Sequence, residues 1–440
     1  MTSGSLPIRS LGINALLILV ANVIASAALL VQFLIITHLF QAEAAGRYAL
    51  QVAFIAPFFL AASFQQRRIL ATSAPDRGYG AAAHLRYFTI SHAATAALVV
   101  TVFAIQWDLA VLAVAVPIMA LRALENASDA CYGYFQQQDR YRYLSISRWM
   151  HAAVMIGVTA FCGYQLQWSL WQILAATAVA RLALSLCYEF QLAWKLTRAG
   201  SPEAADGASI TSEEPVEKNL IRLGLPLGAS GLMASLVGNT PQYVLAGLGR
   251  VELIPAFVIL SRLALIGANV TRAVNEAFAR PLTQAVAAAN RVSTSKLLRF
   301  ALAVDVAIGL SILTICLLAY GPLDPVLQMS QNGATRFDLT CVFLSMIVNN
   351  VTGLATVVMS IFRNSRQILW LQGSSLVLVI AVSLCLIPAW GLTGALMSIA
   401  IGKLPSLVMS GWIISKQVRG LQSAANECEQ RIVEPVRSAA

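Results

Sequence analysis

Long apolar runs recur from one end of this chain to the other, and the first, Leu11 to Thr37, is already long enough to cross a bilayer. A helix needs about 20 predominantly apolar residues to span the hydrocarbon. By that rule spans fall over 11–37, 47–64, 87–106, 108–124, 149–166 and 169–194. A second set falls over 221–248, 251–275, 300–320, 338–361, 367–387 and 391–414. Only 11% of the residues are charged and 58% are hydrophobic, whereas a soluble domain carries about 25% charged residues. Lipid is the solvent that removes the need for a charged surface. The first run is too long for a signal-peptide core and lacks a small-residue cleavage site, so it reads as the first span.

The net charge of +10 raises the question of nucleic acid, but its distribution answers it. The basic residues sit in short segments between apolar runs. On the span map 24 fall on one side, among them Arg67, Arg140, Arg148, Arg222 and Arg299. Three, Arg47, Arg250 and Arg336, fall on the other, and three, Arg181, Arg262 and Lys403, fall within spans. That asymmetry predicts an inner-membrane protein with both termini in the cytoplasm and an even number of spans. No nucleic-acid partner is expected.

One segment reads as a soluble linker, the Gly-, Pro-, Ala-, Ser- and Glu-rich stretch over 198–219. It divides the chain into a six-span lobe at 1–197 and another at 220–416, with a cytoplasmic tail at 417–440. Six spans per half would give parallel repeats. A weak echo supports this, with Ile8-Arg9 against Ile221-Arg222, and Ala44 to Ala49 against Glu252 to Phe257.

Catalytic chemistry finds little support. The seven cysteines include no CxxC pair, the four histidines no HExxH, and there is no Gly-rich nucleotide loop. Neither metal nor cofactor is expected, and a carrier is favoured over an enzyme.

The run Glu125-Asn126-Ala127-Ser128-Asp129, then Tyr132 to Gln137, Arg140 and Ser147, resembles the cytoplasmic loop after span four of polysaccharide transporters. These are the O-antigen and capsule-type flippases of the multidrug/oligosaccharidyl-lipid/polysaccharide exporter superfamily. Gly46-Arg47-Tyr48-Ala49 is similar to that family's start of span two, and Leu223 to Gly228 to its start of span seven. At the start of span eight, Pro255-Ala256-Phe257 stands where that family usually has a Gly before a small residue and Phe. The resemblance implies an all-α membrane protein of about twelve transmembrane helices, in two six-helix lobes around a central cavity. It implies alternating-access flipping of isoprenoid-pyrophosphate-linked oligosaccharide, such as repeat units of lipopolysaccharide O-antigen, capsule or exopolysaccharide. Expected partners are the lipid-linked oligosaccharide, membrane lipids, and a glycan polymerase with chain-length proteins. A small-molecule or multidrug exporter of the related branch, or of major-facilitator type, stands as the alternative. Asp76-Arg77-Gly78 only partly matches the facilitator motif.

Charges inside spans cost roughly 2.5–3.5 kcal/mol each on insertion scales, so they mark cavities or internal pairs. Arg262, Asn269, Arg272 and Glu276 form one polar stripe at helical spacing. Arg262 reads either as a bundle pair or as a cation for phosphate, which a guanidinium fork binds bidentately. Asp305 is expected to pair with Arg272, with a protonatable coupling site as the sharper alternative. Arg181 and Lys403 lie at matching depths in spans six and twelve and could flank one anion. Arg122 is expected to snorkel at the cytoplasmic end of span four, or to capture pyrophosphate there. Asn239 precedes Pro241, where span seven should kink or break. Asn14, Asn22, Ser26 and Gln32 form a polar seam on span one, and Asn349-Asn350 interrupt span ten. Asp129 and Asp139, beside Arg140 and Arg142, read as a solvated headgroup-facing surface.

Overall fold

The computed structural model describes residues 8–72, 81–106, 109–138, 140–200, 216–288, 290–327, 333–362 and 365–437. Among these the regular structure is helical throughout. Most of the expected linker, the Asp76-Arg77-Gly78 turn and Asp139 lie outside them. The chain forms two compact units, Met1–Arg262 and Leu263–Ala440.

The first unit is built from α1 (Ile8–Leu39), α2 (Ala42–Ala62), a short α3 (Gln66–Thr72), α4 (Ala81–Gln106) and α5 (Leu109–Gln137). It continues with α6 (Tyr141–Ala160), α7 (Leu170–Leu184), α8 (Gln191–Gly200) and α9 (Val216–Gly247). A π-helical turn, Phe161–Gln165, ends α6, and another, Ser185–Phe190, joins α7 to α8. Helix α1 packs along α6, where Gln32 Nε2 donates to Thr159 Oγ1 at 3.2 Å. That bond belongs to the polar seam expected on the first span; Asn22 and Ser26 are buried with it. Helices α2 and α9 pack closely because small residues meet there. A Cβ added to Gly228 would stand 2.7 Å from the carbonyl oxygen of Ala61. Helix α9 continues through Pro241, so of the kink or break expected there the structure shows no break. Thr240 Oγ1 donates to the Leu236 carbonyl at 2.8 Å, one turn back along the helix.

Helix α10 (Ile254–Ala287) runs from the first unit into the second. The second unit continues with α11 (Arg291–Leu318), a short α12 (Tyr320–Leu327), α13 (Arg336–Ile361) and α14 (Ser365–Arg437). Capping sets the starts. Asn290 Oδ1 accepts from the Ser293 amide at 2.9 Å before α11. Thr335 and Asp338 form reciprocal bonds before α13, through Asp338 Oδ2 at 2.8 Å and Thr335 Oγ1 at 3.2 Å.

Helix α14 is two spans. Gly391 takes φ 54° and ψ −122°, and the limbs fold back on each other. Ser383 Oγ donates to Ser398 Oγ at 2.9 Å, and Ser375 and Ser406 hydroxyls lie 2.5 Å apart. Both pairs are centred on Trp390 and Gly391. A Cβ at Gly394 would meet the Leu386 carbonyl oxygen at 2.4 Å, which only backbone movement could relieve. Gly394→Ala should therefore destabilise the second unit by about 1–3 kcal/mol, read as an earlier thermal unfolding transition of the purified protein.

Among the described residues ten helical stretches are long and apolar enough to cross a membrane, one of them 55 residues long. Division of that stretch at Gly391, together with α9, gives twelve spans, as the apolar runs predict. This is a multi-pass membrane protein. The helix ends differ from expectation mainly near 125–148. Helix α5 extends to Gln137 and α6 starts at Tyr141, so the expected loop after span four is helix apart from its last few residues.

Candidate functional site

Several polar residues at the end of α5 bond to other helices. Asn126 Nδ2 donates to the Phe59 carbonyl on α2 at 2.7 Å. Asp129 lies 3.8 Å from an Arg67 guanidinium nitrogen on α3 and 4.0 Å from one of Arg148 on α6. Gly133 lets α3 come close, since a Cβ there would stand 2.9 Å from Leu70 Cβ. Asp129 thus lies between α3 and α6 with its side chain half exposed, which leaves room for the solvated surface expected there.

Glu125 begins this run and organises the first unit's charges. Its Oε2 accepts from Arg122 Nη1 at 2.6 Å, one helical turn before it. Its Oε1 accepts from Arg181 Nη1 on α7 at 3.1 Å. Arg122 therefore does not end a span or snorkel away; it lies within α5 and turns to an internal carboxylate. Arg181 Nε is buried and has no hydrogen-bond partner among the described residues. Arg262 completes the set. Its Nη1 donates to the Leu29 carbonyl on α1 at 3.0 Å, and its guanidinium lies 5.5 Å from the Phe33 ring centroid. Phe33 in turn stacks on Tyr48 of α2. Arg262 interacts electrostatically with Tyr48, Arg122 and Glu125. Three of the cations expected from sequence thus converge, and their one carboxylate leaves a surplus of two positive charges. Arg122 and Glu125 side chains keep about a quarter of their surface exposed, 25% and 26%.

The other expected residues do not join them. On α10 the polar stripe divides among different surroundings. Asn269 is buried, Arg272 is exposed, and the Glu276 side chain lies outside the described set. Asp305 on α11 does not take Arg272. It is 1% exposed, its Oδ2 accepts from Asn275 Nδ2 at 2.8 Å, and its Oδ1 has no partner. Asn275 was not anticipated; it stands one turn beyond Arg272, on the inward face of α10. Lys403 donates to Asn349 Oδ1 on α13. Arg181 and Lys403 are therefore each engaged within their own unit. Asn239 stays within its helix, donating to Ser235 Oγ at 3.3 Å and accepting from Gln242 at 3.3 Å.

A second cluster escaped sequence reading altogether. Glu189, in the π-helical turn Ser185–Phe190, is fully buried. It accepts from Ser128 Oγ at 2.6 Å, from Ser147 Oγ, and bonds His151 Nε2 at 3.0 Å. Tyr132 and Ser147 hydroxyls lie 2.9 Å apart. Glu189 and His151 thus form a buried acid–histidine pair that no sequence motif announced. The signal available was the spacing of Ser128 and Tyr132 on α5 and of Ser147 and His151 on α6, each one turn apart. Every oxygen of the carboxylate is occupied by donors from two other helices, which ties α5, α6 and the α7–α8 junction together.

Asp305 is the contrasting case, a buried carboxylate with a single bond. Asp305→Asn keeps the shape and removes an undercompensated charge, so it should raise stability by about 1–3 kcal/mol. A later thermal transition would bear this out; an earlier one would mean that a cation occupies the site in the membrane.

No family model matches the chain. It is similar to the capsular polysaccharide biosynthesis protein CapF of Staphylococcus aureus, with 22% identity over 400 residues, 88% of this chain and 95% of that one. The solved structures it resembles are transporters. An outward-facing multidrug resistance MATE family transporter of the MOP superfamily aligns at a TM-score of 0.71 and 14% identity, over 96% of this chain and 98% of that one. The fold is that of the MATE transporters. An inward-facing structure of a transporter of that family aligns at 0.63 and 15% identity, over 93% and 96% of the two chains. A MATE structure in complex with MaL6 aligns at 0.70 and 14% identity, over 96% and 100%. All-α architecture with about twelve spans in two lobes follows from this fold.

Proposed function

We propose that the chain is an inner-membrane flippase for isoprenoid-pyrophosphate-linked oligosaccharide, working by alternating access with both termini in the cytoplasm. The observation that carries this reading is the surplus positive charge of Arg122, Arg181 and Arg262 over Glu125. A pyrophosphate diester carries one negative charge on each phosphorus, which matches that surplus. Guanidinium groups suit phosphate oxygens because their donors form a planar fork. The unmet Nε of Arg181 supplies a donor already stripped of water. Similarity to a capsular polysaccharide biosynthesis protein agrees with a glycan substrate. The six-plus-six division at the 198–219 linker, and action beside a glycan polymerase and chain-length proteins, belong to the same proposal.

The fold itself favours a second reading, export of small molecules, since the similar solved structures include a multidrug resistance transporter. The charge argues against a cationic substrate for this chain. Two uncompensated positive charges in a low-dielectric site repel a cation and attract an anion. A deletion strain distinguishes the readings. Finished lipid-linked glycan should build up on the cytoplasmic face, and wild type should relieve it while Arg262→Ala should not. Relief by Arg262→Ala would demote that arginine to structure. An absence of build-up, in a strain with no other flippase, would turn the reading to the small-molecule exporter.

A further inference from the structure

Within the second unit, α11, α13 and the second limb of α14 enclose a cavity of about 660 Å³, in the size range of single-ligand sites. Its rim and bed differ in chemistry. Among the described residues Arg291, Arg299 and Arg419 line the cavity, and no carboxylate does. The bed is apolar, with Leu302 from α11, Val351 and Leu354 from α13, and Leu407 from α14. Small residues on α14, Ser410 and Gly411, make the room.

A shallower recess of about 490 Å³ shares Arg299 and Leu302 with this cavity and continues along α11 past Val306 to Leu310. Its lining is apolar beyond Arg299. At 1.5 Å per residue, Arg299 to Leu310 covers about 16 Å, and its lining positions fall within an arc of about 140°. Together the two recesses make a cationic socket with one narrow apolar track leading from it along a single helix.

We infer that this groove is a loading site for the lipid carrier itself, with the pyrophosphate at Arg299 and Arg419 and the start of the isoprenoid chain on the α11 track. The inference rests on the flippase reading and deepens it. Two features favour this occupant over an ordinary phospholipid. Two arginines, Arg299 and Arg419, suit more than one anionic charge, and a track one helix face wide suits one chain. Arg419 Nε already donates to the Ser415 carbonyl at 3.2 Å, which holds its guanidinium at the rim. The basic end of the groove belongs to the side that the basic residues assign to the cytoplasm, where such a lipid would be collected.

The test uses the purified full chain in nanodiscs with a polyprenyl diphosphate that carries a photoreactive group near the head of its chain. Cross-linked peptides should map to 302–310. Arg299→Gln should lower that labelling at least tenfold, Arg299→Lys should restore part of it, and Ala303→Trp, at an exposed position, should block the track. Phosphatidylglycerol in equal amount should not displace the probe. Displacement by phosphatidylglycerol, or labelling of 302–310 indifferent to Arg299 and Ala303 changes, would overturn the loading site and leave a surface for bulk lipid. Labelling confined to the first unit would overturn the groove alone. Absence of specific labelling anywhere in the chain would overturn the flippase reading with it.

Discussion

Glu125→Gln is expected to tighten binding of a polyprenyl diphosphate by about tenfold, equivalent to about 1.4 kcal/mol, while slowing its translocation. Glu125 is the carboxylate shared by Arg122 and Arg181, at 2.6 and 3.1 Å, and it interacts electrostatically with Arg262. With glutamine the cluster gains one unit of positive charge at nearly constant volume. An anion then finds two guanidiniums no longer engaged by an internal rival. Release becomes the harder step, because the carboxylate that would take the arginines back is gone. Loss of the pair also costs stability, and partial exposure of Glu125 limits that cost to about 1–3 kcal/mol. Binding by fluorescence titration and turnover in proteoliposomes should therefore move in opposite directions. Weaker binding by Glu125→Gln would mean that the carboxylate positions the arginines more than it competes for them.

Glu189→Ala should be the most damaging single change to folding of the first unit, costing about 3–5 kcal/mol. The side chain is fully buried, and its two oxygens satisfy Ser128, Ser147 and His151 from α5 and α6. Alanine would leave three polar groups without their acceptor and open a cavity at a π-helical turn. Glu189→Gln should cost less, since one oxygen still accepts. The purified variants would be ranked by thermal unfolding temperature. Wild-type stability in Glu189→Ala would mean that the carboxylate is not the acceptor on which the joint depends.

Both clusters show which parts of the molecule the sequence made legible. Apolar runs gave the spans because each is uniform over about 20 residues, and the hairpin at Gly391 fell between two of them. Helix ends near the basic side were not legible. Glu125, Asn126, Ser128 and Asp129 look like loop residues because their partners, Arg181, Phe59, Glu189 and Arg67, lie 56 to 67 positions away. Arg122, Arg181 and Arg262 stood out as costly charges, yet their convergence on one acid depends on how α5, α7 and α10 pack. Asp305 illustrates a subtler failure. Arg272 and Asn275 are one turn apart on α10, but three residues rotate a helix by about 300°. That leaves them about 60° apart in direction, enough to bury Asn275 beside Asp305 and leave Arg272 exposed. Depth along a helix was readable, while facing was not.

The central claim is that Arg122, Arg181 and Arg262 form an anion site. The most direct test is the affinity of the purified chain for a polyprenyl diphosphate, measured for wild type and for Arg122→Gln, Arg181→Gln and Arg262→Gln. Each glutamine variant should bind about tenfold more weakly or worse, with a salt-dependent loss and unchanged folding by size-exclusion chromatography. Equal affinity across all three well-folded variants, or tight competition by a lipophilic cation, would contradict the anion site and the flippase reading built on it.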